Sequence, residues 1–160
     1  MLAGTGLLVI SCKSGPSGGE GSGGGQQGFA RVAWPFWPAS MRIHPATRLG
    51  ADAVTGEPII ELRLQFRDSW DDLIKAIGNV SIDFYGSAEP TGDPPLRHWV
   101  ADLTDLDYNA ERFDDVTWTY LLNLRLQGLD PPQDNHLSVR FDSANGSTLT
   151  NTAPLRVPHE

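Results

Sequence analysis

The sequence predicts an all-β fold: a single antiparallel β-sandwich of about seven strands, following a disordered Gly/Ser-rich N-terminal tether. Three observations predict it. Apolar and polar residues alternate with period two over several short segments after Met41, the pattern of strands with one wet and one dry face. Turn-forming residues interrupt the chain between those segments, at Thr55-Gly56-Glu57-Pro58, Thr91-Gly92-Asp93-Pro94-Pro95 and Asp130-Pro131-Pro132. No long stretch carries a helical repeat, and half-dry strands of this kind must pack sheet on sheet.

Taken in order, Arg42-Ile43-His44 is a first, weak strand. Ile60, Leu62, Leu64 and Phe66 alternate with Glu61, Arg63, Gln65 and Arg67 to make a second. Residues 68–78 admit two readings. Asp68 or Ser69 could cap a helix that buries Leu73, Ile74 and Ile77. Alternatively, a turn at 69–72 leads into a strand through Ile74, Ala76 and Val80, with a bulge near Gly78. Val80, Ile82 and Phe84 face one way and Ser81, Asp83 and Tyr85 the other; His98 to Leu103 is a weaker strand. The longest row is Trp118, Tyr120, Leu122, Leu124 and Leu126, against Thr117, Thr119, Asn123 and Arg125, with Leu121 breaking the polar side once. Leu137, Val139 and Phe141 follow, then Asn145-Gly146, which tolerate the positive φ of a hairpin turn. The return strand runs through 148–150 and 155–157. On this reading Leu62, Leu64, Val80, Ile82, Leu122, Leu124, Val139 and Phe141 share one interior.

Composition divides the chain. Eight of the sixteen residues 13–28 are Gly, whereas residues 41–160 hold seven Gly in all. The Gly-rich segment has no apolar residue to offset its ordering entropy, so a flexible coil reaching roughly 22 Å is expected. The expected units are a signal-like segment 1–12, a linker with a Trp/Pro patch 13–40, and a folded domain 41–160, long enough to bury its own core. Of the 12 basic and 20 acidic residues, all but Lys13, Arg31 and Glu20 belong to the folded unit. A net charge of −8 argues against nucleic acid as a partner. One Cys makes neither an internal disulfide nor a thiolate zinc site. No run approaches the eighteen apolar residues of a membrane-spanning helix.

That cysteine follows Leu7-Leu8-Val9-Ile10-Ser11. Val9-Ile10-Ser11-Cys12 resembles the lipobox of bacterial lipoproteins: aliphatic, tolerated, small, Cys. The departure is that no Lys or Arg precedes the apolar run. The resemblance implies cleavage before Cys12, lipidation of its thiol, and a membrane partner reached through a lipid anchor. Stable anchoring takes two or more acyl chains. Lys13 after the Cys implies the outer membrane or cell surface of a bacterial envelope. Leu73-Ile74-Lys75-Ala76-Ile77-Gly78 loosely resembles a stretch of small transthyretin-like or carboxypeptidase-regulatory-like sandwiches. That family implies a structural or binding appendage rather than an activity.

Two segments could carry chemistry. In the acidic stretch Asp102 to Asp115, Asp105, Asp107 and Asn109 hold the 1, 3 and 5 spacing of a calcium loop. Positions 6 and 12 are Ala110 and Val116, where that loop wants Gly and Glu. The bland alternative is a solvated connection with a helical turn from Tyr108 to Phe113. In Trp34-Pro35-Phe36-Trp37-Pro38, the aromatics Trp34, Phe36 and Trp37 could stack on sugars or meet a membrane interface. Alternatively they fold back over an open end of the sandwich. The matches to G-x-S-x-G and G-x-G-x-x-G inside 15–24 lack a flanking strand or helix and reflect low complexity. His44, His98, His136 and His159 have no ligand spacing. The expectation is therefore an envelope-anchored lipoprotein. Its sandwich would be a non-enzymatic binding or structural domain whose partner is an envelope protein or polysaccharide. The rival is a metal-assisted or carboxylate-based envelope hydrolase using 102–115.

Overall fold

Along residues 58–67 the alternation becomes a ten-residue strand, and the larger of two sheets is built around it. This computed structural model describes residues 35–87 and 92–155; the lipobox-like segment with Cys12, the Gly/Ser segment, Trp34 and His159 lie outside them. The strands, in chain order, are β1 (Ser40–Ile43), β2 (Arg48–Ala51), β3 (Pro58–Arg67), β4 (Leu73–Ile74), β5 (Gly78–Tyr85) and β6 (Arg97–Asp102). After a helix α1 (Leu106–Arg112) come β7 (Phe113–Asp114), β8 (Thr119–Arg125), β9 (His136–Ser143) and β10 (Thr148–Pro154). One sheet runs β1-β3-β8-β7, with β2 and β4 also on β3; the other runs β10-β9-β5-β6, and every pairing is antiparallel.

The strand β3 is long enough to be flanked twice on each side. On one edge β2 covers residues 58–61 and β1 covers 64–67; on the other, β8 covers 59–64 and β4 covers 66–67. Residues 44–47 stand opposite 62–63 and bulge out of the ladder, because Pro45 has no N–H to give. Thr47 substitutes for the missing rung: its hydroxyl accepts from the Arg63 amide at 3.0 Å, and the His44 amide donates to the Arg63 carbonyl at 2.8 Å.

The dry faces of the two sheets meet in one core. Leu62, Leu64, Val80, Ile82, Leu122, Leu124, Val139 and Phe141 all belong to it, with Phe66, Phe84 and Tyr120. Phe66 packs on Phe141 at 4.7 Å and edge-on to Tyr120 at 5.8 Å between ring centroids. The protein is therefore an all-β antiparallel sandwich.

Residues 68–78 form the turn rather than the helix. The Asp68 carboxylate accepts from the Trp70 and Asp72 amides, and Asp71 takes a positive φ of 70°. The short β4 follows, and the chain then crosses to the second sheet. It enters β5 at Gly78, where a Cβ would stand 2.3 Å from the Asp142 carbonyl oxygen. That distance admits only glycine.

Other details differ from the sequence pattern. Trp118 does not join the buried row; it sits in the β7–β8 turn at φ 54° and is 45% exposed. The turn is closed by the Asp114 carboxylate, which accepts from the Val116 and Thr117 amides, so the last turn residue bends back before β8 begins. The return strand is one continuous run, Thr148–Pro154, with Leu155 buried just after it. The strand β2 carries no mark of alternation, because Leu49-Gly50-Ala51 offers none.

Candidate functional site

The acidic stretch resolves into separate structural roles. Asp105 is the N-cap of α1, accepting from the Asp107 and Tyr108 amides at 3.0 and 3.2 Å. Asp107 is exposed in the first turn, where a carboxylate suits the helix dipole. Asn109 points the other way and is buried. Its amide donates to the Ala76 and Leu103 carbonyls, both at 2.8 Å, and its oxygen accepts from the Tyr120 hydroxyl at 2.9 Å. That hydroxyl in turn accepts from the Ala76 amide at 3.0 Å. This network ties the helix, the crossing segment and β8 together. The three residues with calcium-loop spacing are thus not brought to one point. Among the described residues no group of three or more His, Cys, Asp or Glu is placed to hold a metal ion.

The aromatic patch is divided as well. Trp34 lies outside the described residues. Phe36 meets Trp70 edge-on at 5.3 Å, Trp37 is half-buried and Pro38 is buried. The Ser69 hydroxyl donates to the Pro35 carbonyl at 3.3 Å, so this segment lies against the Asp68 turn. Phe36 and Trp70 remain 44% and 60% exposed, an aromatic pair at one end of the larger sheet.

A third site has no motif in the sequence. The outer face of the larger sheet gathers charge from the polar positions of β1, β2, β3 and β7. Arg63 donates from one guanidinium nitrogen to the Asp114 carboxylate at 2.9 Å, to the Thr117 hydroxyl at 3.0 Å and to the Thr119 hydroxyl at 3.1 Å. Arg48 pairs with Glu61 at 2.7 Å. Between these pairs and the bulge lies a cleft of about 440 Å³, lined by His44, Pro45, Thr47, Arg48, Glu61 and Arg63 among others. The Arg63 hydrogen bond, followed by that of the Thr117 hydroxyl, holds the Asp114 carboxyl down at about 2, against 3.8 ordinarily. His44 is pushed below 6.5 by burial and then by the charges of Arg42 and Arg63. Its Nδ1 accepts from the Ala46 amide at 3.2 Å, which a neutral ring permits and an imidazolium does not. The cleft thus offers sheet-held guanidiniums, a carboxylate and a neutral imidazole to a polar ligand. In the sequence Arg63 is only one polar position of a strand; its partner lies 51 residues away.

The chain matches no family model, no curated protein and no solved structure, so the functional reading rests on its own residues.

Proposed function

We propose that this protein is a bacterial cell-envelope lipoprotein, anchored by acyl chains on Cys12 and carrying its β-sandwich as a non-enzymatic binding module. One observation carries the reading: an apolar run, a small residue, the single Cys, a Gly/Ser linker and a domain with its own core follow one another in that order. Each part has a physical role. The thiol takes a thioether-linked lipid, the linker spaces the domain from the headgroups, and the sandwich presents a rigid surface. We assign partner contact to the cleft on the outer face of the larger sheet. Strand-held side chains there meet a polar envelope partner, protein or polysaccharide, with little ordering cost.

The test is fractionation in a diderm bacterial host. The native chain is expected in the detergent-extractable membrane fraction, and Cys12→Ser in the soluble fraction with an unchanged circular dichroism spectrum. A Cys12→Ser chain that still sediments with membranes to the same extent refutes the anchor.

A further inference from the structure

The strand β6 closes the smaller sheet on one side, and it is the least protected edge among the described residues. The opposite edge of the larger sheet is the two-residue β7. The edge formed by β1 and β2 is broken by the Pro45 bulge. The strand β10 carries Pro154, and its Asn151 side chain accepts from the Ile43 amide of β1 at 2.9 Å. Natural sheets blunt their edges by such means. By contrast β6 has six residues, no Pro, no bulge and no Lys, and bears Val100 at 64% exposure.

Its geometry fixes what can pair with it. The Leu103 amide donates to the Gly78 carbonyl directly across the ladder. Peptide groups alternate along an antiparallel strand, so Ala101 and Trp99 also bond to β5, while Asp102, Val100 and His98 aim theirs outward. These three are symmetric about Val100. A second β6 laid antiparallel with Val100 opposite Val100 sets each His98 against Asp102 of the other copy. It also sets Trp99 across from Ala101, large against small, beside a cleft of about 290 Å³ lined by Val100, Ala101, Asp102, Asp105 and Tyr108. Shifting the register by two residues loses the His–Asp complement. The His98 Nδ1 meets the Asp83 carboxylate of β5 at 2.7 Å, so Nε2 is the ring nitrogen that a second copy would have to meet.

We propose that β6 is a homodimer edge, pairing with β6 of a second copy about a two-fold axis through Val100 to form one continuous eight-stranded sheet. This pairing does not depend on the lipid anchor.

Sedimentation of the full-length, unacylated chain in reductant tests it. A species of twice the 17.4 kDa chain mass is expected to grow with concentration. Val100→Pro removes an outward N–H and leaves the β5 ladder intact, so it is expected to abolish the dimer without changing the circular dichroism spectrum. Register is read by cross-linking in a Cys12→Ser background. Residues in a hydrogen-bonded pair lie about 5.5 Å apart at Cα, within disulfide reach. Val100→Cys should therefore oxidise to a covalent dimer. His98→Cys alone should not, and His98→Cys with Asp102→Cys should. A chain monomeric at all concentrations overturns the proposal. So does a dimer indifferent to Val100→Pro, or one that Val100→Cys fails to lock.

Discussion

Asp114 and Asn109 lie five residues apart in the chain and act in different ways. The Asp114 carboxyl is lowered to about 2 chiefly by Arg63, so folding favours its ionised form. In the unfolded chain it takes its proton near 3.8; in the folded chain it resists until about 2. The contribution is complete above the unfolded value and is lost as pH falls through the folded one. Asp114→Asn should remove that part of the acid limb of a melting-temperature profile and leave the neutral limb parallel to that of the native protein. Added salt should shrink the difference, because the pair is partly open to solvent. Asn109 acts through burial instead. Asn109→Ala strands the Leu103 carbonyl and leaves the Tyr120 hydroxyl to the Ala76 backbone alone, and should cost about 1–3 kcal/mol in urea unfolding. Because its side-chain oxygen is already engaged and Asp105 caps the helix, millimolar calcium should not raise the melting temperature. Spacing alone could not separate these roles. Asp105, Asp107 and Asn109 look equivalent as a written motif, and only the helix turns one of them inward.

At the level of elements, the strands with strict alternation were legible, and their reason is physical. In β3, β5, β8 and β9 one face is sealed in the core, so the inward positions are apolar or glycine, save Ser143 at the end of β9. The elements that were not legible are those whose pairing is set from afar. The strand β2 exists because β3 is ten residues long and β1 stops at a bulge; β7 exists because α1 delivers Phe113 opposite Tyr120. Trp118 follows the alternation in sequence but not in space, since a turn held by Asp114 comes first. The cleft was illegible for the same reason, as it combines side chains from β2, β3, the bulge at 44–47 and the turn at Thr117. The entry to β5 supplies a sharp test. Gly78→Ala puts a methyl group against the Asp142 carbonyl and the Phe141 ring, and should cost about 3 kcal/mol or more. Gly146→Ala in the β9–β10 turn meets no atom within 4 Å and pays only for its φ of 91°, so urea unfolding should rank it well below Gly78→Ala.

In the whole molecule, a domain that folds on its own core is joined to a cysteine proposed to fix it to a membrane. With that proposed anchor, a β6-paired dimer would carry two lipids and two copies of the face bearing Arg48 and Arg63. Two lipidated chains in one assembly hold a membrane far longer than one, because release requires both to leave together. The most direct measurement is intact-mass and peptide mass spectrometry of the protein isolated from its native envelope. The expected result is a mature chain that begins at Cys12, with residues 1–11 removed and acyl mass on the Cys12 peptide. A chain that retains residues 1–11 and carries an unmodified Cys12 thiol contradicts the anchored module.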